Sequence, residues 1–161
     1  MATVSYNGAT IQPYTIAATG TYDISAFGAA GGLSKGGVEP SGSGAQIGGI
    51  FSFTQGQILD IIVGGTGGNS TAGSGAGGGG GFSAVFLDNN GMPGTALLFA
   101  GGGGGASYTS AGGNATVLVA GTGLGGTGST SPGGAGGAGA LGSGGDAVAY
   151  PGGGRLLLQA A

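Results

Sequence analysis

Cysteine and histidine are both absent from this 161-residue chain. Without cysteine there is no disulfide framework, no thiolate nucleophile and no thiolate metal site. Without histidine the commonest general base is missing as well. Charge is scarce: two basic and five acidic residues, 4% of the chain. The two cations, Lys35 and Arg155, cannot neutralise enough phosphates to hold nucleic acid, nor build a polybasic membrane patch. No apolar run approaches the ~18 residues of a membrane span. The opening Met-Ala-Thr-Val-Ser-Tyr has neither a basic nor an apolar leader region, so no signal peptide is visible. These absences predict no cofactor, no nucleic-acid partner and no membrane insertion.

Glycine supplies 48 residues, far above the ~7% of an average protein. Disordered chains of this kind combine low hydrophobicity with high net charge. Here net charge is −3, and unbroken apolar runs recur at 58–63, 96–100 and 115–120. A chain with such runs folds and buries them. Its surface then carries far less than the roughly one-quarter charged residues that keep soluble monomers apart, so self-association is expected.

Strand-like runs alternate with glycine tracts along the single expected domain, residues 1–161. A strand-rich core is predicted over about 2–63 and 82–120, with glycine tracts at 64–81, 101–105 and 121–145 and terminal strands within 146–159. Thr21, Asp23 and Ser25 alternate with Tyr22, Ile24 and Ala26, the period of two of a half-buried strand. Asn7-Gly8 carries a hairpin-turn signal, and Ala18-Thr19-Gly20 reads as a second turn. The runs 47–54 and 57–63 are joined by Thr54-Gln55-Gly56, and further strands are expected at 82–88, 95–100, 115–120, 146–150 and 155–159. About eight short strands with no helical periodicity predict an all-β sandwich or jelly roll.

Within the last tract Gly133, Gly136, Gly139, Gly142 and Gly145 fall every third residue, the period of the polyproline II conformation. Extended glycine segments can approach backbone to backbone and pair their N–H groups laterally, as buried N–H groups must.

Residues 15–32, TIAATGTYDISAFGAAGG, resemble the opening of the glycine-rich domain of anaplastic lymphoma kinase family receptors and of many bacterial surface proteins. The pattern continues through QILDIIVGGTGG at 57–68, GGGGGFSA at 77–84 and LLFAGGGGGA at 97–106. That resemblance implies a tumour-necrosis-factor-like β-sandwich sprouting a hexagonal bundle of glycine polyproline-II-type helices, similar to one in some phage tail-fibre adhesins. The structural glycines would be Gly28, Gly31, Gly32, Gly77, Gly78, Gly79, Gly80, Gly81, Gly101, Gly102, Gly103, Gly104 and Gly105, with the five of the periodic tract. The receptor module carries cysteines and this chain has none, so cytokine binding is not implied.

Chemistry-bearing patterns are few. Asp23, Glu39, Asp60, Asp88 and Asp146 are scattered, with no pair at an informative spacing for acid–base catalysis. Residues 121–126 satisfy G-x-G-x-x-G, but a chain this rich in glycine gives roughly four such matches by chance. Gly144-Gly145-Asp146 does not recur as a calcium repeat would. Asn69-Ser70-Thr71 and Asn114-Ala115-Thr116 are glycosylation sequons. The strand aromatics are expected in the core, while Tyr108 and Tyr150 are candidates for exposure.

The chain therefore reads as a non-catalytic structural protein with no catalytic, cofactor or metal residues. It is expected to self-assemble into an extracellular or cell-surface filament or matrix. Val4, Tyr6, Leu156, Leu157 and Leu158 are its candidate assembly contacts through terminal strand edges. The alternative is an adhesin or receptor-binding module that recognises a cell-surface protein or glycan. Ice binding would need regular threonine ranks, which Thr122, Thr127 and Thr130 do not form.

Overall fold

Runs rich in Ile, Val, Phe, Tyr and Thr become strands, and the glycine tracts between them do not. The structure, a computed structural model, describes residues 2–8, 10–36, 38–71, 75–119, 122–124, 126–127 and 136–137. These hold β1 (Gln12–Thr15), β2 (Gly20–Phe27), β3 (Gln46–Phe53), β4 (Ile58–Ile62), β5 (Ser83–Asp88), β6 (Pro93–Ala100), β7 (Thr116–Val119) and β8 (Thr122–Leu124). Among the described residues there is no helix. The molecule is all-β, as expected. The strands expected at 146–150 and 155–159, and Tyr150, lie outside the described residues.

Every pairing is antiparallel: β1-β4-β5-β6 form one sheet, β2-β3 a second and β7-β8 a third. The β5–β6 hairpin turns on Asn90 (φ 56°) and Gly91 (φ 82°), the two left-handed residues of a type I′ turn. Asn89 and Met92 exchange backbone hydrogen bonds across it, and the Asp88 carboxylate accepts from the Gly91 N–H at 2.9 Å. The expected turn at Asn7-Gly8 closes no hairpin, and no strand occurs among the described residues of 2–11. Asn7 Oδ1 instead accepts from the Thr10 hydroxyl at 2.8 Å, a local bond that competes with a ladder. The edge strand expected around Val4 is therefore not formed.

The runs joined by Thr54-Gln55-Gly56 do become β3 and β4, but in different sheets. Gly56 (φ 89°) reverses the chain, its N–H donates to the Ile16 carbonyl, and the Ile16 N–H donates to the Gln57 carbonyl. The chain leaving the turn is thereby steered onto β1.

The core lies between the two larger sheets. Ile16, Ala26, Ile47, Phe53, Leu59, Val85, Leu98 and Ala100 form one buried cluster drawn from both. β3 packs against β6, and β2 against β5 and β6. A smaller cluster of Ala84, Phe86 and Phe99, with Phe82 stacked on Phe99 at 4.5 Å, occupies the opposite face of the four-stranded sheet. Phe27 departs from expectation: as an outward residue at the end of β2 it is 58% exposed.

Beyond the strand ends the chain continues into glycine segments that pair with one another. Residues 101–107 are buried throughout and lie at the centre. The Gly103 and Ala106 N–H groups donate to Ala29 and Gly32, and the Gly104 N–H donates to Gly113. In return Gly101 and Gly104 accept from Ala45 and Gly42, Gly103 and Ala106 from Gly80 and Gly77, and Gly102 from Gly126. A sixth neighbour is Gly136-Gly137, where a methyl group on Gly137 would overlap the Gly102 carbonyl.

The neighbours also join each other. Gly28 and Gly31 donate to Ala45 and Gly42, Ala115 to Ser43, Gly113 to Thr127, Gly137 to Gly126, and Ala29 and Gly32 to Gly81 and Gly78. Gly79 packs against the Gly136 carbonyl and closes the ring. Six segments thus surround one. Segment 64–71 lies outside the ring, Gly67 donating to Ala30 and Ser70 to Leu33.

Along 28–33 the partners repeat every three residues: 28 and 31 face one neighbour, 29 and 32 a second, 30 and 33 a third. Segments 28–34, 40–45 and 111–115, expected within the strand-rich core, belong to this glycine region instead. Ordering them costs ~1–2 kcal/mol of backbone entropy per residue. Lateral hydrogen bonds in several directions and close backbone packing offset that cost.

Candidate functional site

The two larger sheets are unequal, and that inequality makes a groove. Four strands face two: β2 and β3 cover β5 and β6, without comparable packing on β1 or β4. In β2 the inward set is Tyr22, Ile24 and Ala26, and the outward set Asp23, Ser25 and Phe27. Tyr14 on β1 and Leu59 and Ile61 on β4 face the same space. The resulting groove has a volume of about 630 Å³ and mainly apolar walls, with Ala2, Thr3 and Val4 also lining it. Its one charged lining residue is Asp23. Among the described residues, the edge of β2 away from β3 pairs with no strand.

A second feature was not legible from spacing. Asp60 on β4 stands opposite Phe86, two residues from Asp88 on β5, and the same register places both carboxylates on one face of the sheet. Asp60 is buried, and its Oδ2 has no hydrogen-bond partner. Burial raises the Asp60 pKa above its ordinary 3.8, and the Asp88 charge and a hydrogen bond between the two side chains raise it further. Such a pair holds one proton between two carboxyl groups. Asp23 is exposed and Glu39 half-buried elsewhere, while Asp146 lies outside the described residues. No cluster of three acidic, histidine or cysteine side chains suited to a metal ion occurs among the described residues.

The structure brings most of the expected structural glycines into one bundle. Gly28, Gly31, Gly32, Gly77–Gly81 and Gly101–Gly105 all lie in it, as does Gly136. Gly133, Gly139, Gly142 and Gly145 fall outside the described residues, as do Leu156, Leu157 and Leu158. Val4 lines the groove, and Tyr6 is exposed with its ring over Gly65. Within the G-x-G-x-x-G match, Gly126 is committed to the bundle through its bond to Gly102.

Both sequon asparagines serve the bundle. Asn69 Oδ1 accepts from the Leu33 N–H at 2.8 Å, and Asn114 Oδ1 accepts from the N–H and hydroxyl of Ser43, each at 2.9 Å. Each side-chain carbonyl supplies an acceptor where the neighbouring backbone has none in place. Tyr108 is exposed, as expected, in the turn after the central segment. The chain matches no protein-family model, and no curated protein is significantly similar to it.

Proposed function

We propose that this protein is a non-catalytic structural subunit that self-assembles into a filament or surface matrix. The observation that carries this reading is the glycine bundle. Its centre, residues 101–107, is buried with no side chain larger than serine, and its neighbours meet it through backbone alone. Such a body offers stiffness and little chemistry. The titratable pair, Asp60 with Asp88, is withdrawn from solutes by the burial of Asp60.

In this reading the two larger sheets are a jelly-roll-type β-sandwich of the tumour-necrosis-factor-like kind, supported by their shared core. The glycine segments are polyproline-II-type helices, supported by the repeat of hydrogen-bond partners every three residues. Both features accord with the resemblance to glycine-rich receptor and bacterial surface domains, and through it with an extracellular or cell-surface setting. Assembly follows from a surface with 4% charged residues in the chain, together with exposed Ile50, Val38, Met92 and Phe27.

A second reading, attachment to a cell-surface protein or glycan, is favoured by one observation: exposed Val38 and Tyr108 sit in turns at the strand-distal end of the bundle. Electron microscopy of the purified chain, with light scattering over a concentration series, separates the two. Ordered polymers are expected. A monomer or small closed oligomer at high concentration overturns self-assembly and favours attachment.

A further inference from the structure

We infer that residues 155–159 of a second copy dock as a strand along the free edge of β2 and fill the groove between the sheets. The inference rests on the self-assembly reading and supplies its interface. Four observations carry it.

The groove is the place of an absent strand. Two strands cover a four-stranded sheet, so the apolar faces of Tyr14, Leu59 and Ile61 meet no strand of the smaller sheet. A strand added beside β2 would cover them and satisfy the edge backbone, the strand-addition mode of recognition. The groove is open in the single chain, so the occupant comes from outside it.

The segment matches the groove's pattern of sides. In Arg155-Leu156-Leu157-Leu158-Gln159 the period of two puts Leu156 and Leu158 on one face and Arg155, Leu157 and Gln159 on the other. Turned inward, the two leucines join the apolar wall that Tyr22 and Ile24 begin. Arg155 then points outward, as Asp23 does on β2.

The charges are complementary. Asp23 is the groove's one charge, and Arg155 is one of two basic residues in the chain. The other, Lys35, is engaged with the Thr71 carbonyl at 2.9 Å in the glycine region. An opposite-charge pair at a strand edge fixes register more than it adds affinity.

Finally, little opposes the approach of two copies, because the surface lacks the repulsive charge that blunts sheet edges in soluble proteins.

The chain has no cysteine, which makes a direct test clean. Asp23→Cys combined with Arg155→Cys in the full chain, oxidised and run on a non-reducing gel, is expected to give disulfide-linked dimers and a ladder above them. A cross-link confined to the monomer places the segment in its own groove and overturns the inference, as does no cross-link. Charge reversal gives a second measurement: Asp23→Lys and Arg155→Glu each weaken association roughly 3- to 10-fold, and the double reversal restores it. Light scattering separates failure of this interface from failure of self-assembly. If the native chain polymerises and Leu156→Asp with Leu158→Asp does not stop it, this interface is wrong and self-assembly stands. If the native chain stays monomeric, both are wrong.

Discussion

A single methyl group at Gly103 tests the glycine bundle. The added Cβ would overlap the Gly42 carbonyl oxygen, and the Gly42 and Ser43 carbonyl carbons also lie within its contact distance. All three are backbone atoms, so no rotamer change relieves the overlap. The only escape is to part segments 40–45 and 101–107, which strains the Gly42-to-Gly104 and Ala45-to-Gly101 hydrogen bonds, both 2.8 Å. Overpacking costs about 1–3 kcal/mol, and each weakened hydrogen bond adds roughly 0.5–1.5 kcal/mol. Gly103→Ala should therefore destabilise the protein by about 2–5 kcal/mol, a fall in Tm on the order of 4–20 °C for a chain of this length.

Gly68→Ala is the control. It is the same chemical change in another glycine segment, where an added Cβ meets nothing within 4 Å and the backbone is not left-handed. There the methyl group restricts only the unfolded chain and should stabilise by about 0.4–1 kcal/mol. Thermal or denaturant unfolding of the pair decides the matter. Equal Tm changes in the two variants, or a Gly103→Ala Tm within a degree of the parent, would refute backbone-to-backbone packing at the centre.

Three further outcomes are expected. Gly91→Ala should cost about 1–2 kcal/mol in denaturant unfolding despite open space around it, because φ of 82° is left-handed. Asn114→Ala should cost about 1–3 kcal/mol through two lost bonds to Ser43, with Asn114→Asp retaining most of the stability since its oxygen still accepts. For Asp60 the folded pKa is raised above 3.8, so the stability contributed by its protonated form is complete below that value and is lost as pH rises through the folded pKa. Asp60→Asn should accordingly be more stable than the parent at neutral pH, an advantage that shrinks below pH 3.8 in urea titrations across pH.

Sequence patterns located strands well and partners poorly. The alternation of Thr21 to Ala26 placed β2 with its correct inward set, because one face of that strand is buried and the other is not. The two Asn-Gly dipeptides show what was hidden. Asn7-Gly8 and Asn90-Gly91 carry the same turn chemistry, yet only the second lies between strands that can bond across it. Strand β8 was missed because Thr122-Gly123-Leu124 sits inside a run read as glycine tract. Segment 28–34 mixes alanine, leucine and serine with glycine, so its threefold hydrogen-bonding repeat leaves no periodic trace in composition. The Asp60–Asp88 pair was invisible for another reason: it follows from the β4–β5 register, which no local pattern states. The groove arises from a strand count in each sheet, a property of topology rather than of any segment.

The repeat of partners along 28–33 gives the bundle something like a reading frame. One residue inserted there would turn every following residue by a third of a revolution and hand each N–H to the wrong neighbour. Three inserted residues would restore every pairing beyond them. The paired glycine segments can therefore lengthen or shorten together in triplets while the sheets beneath them stay unchanged, so the reach of the bundle is adjustable in steps without redesign of the core.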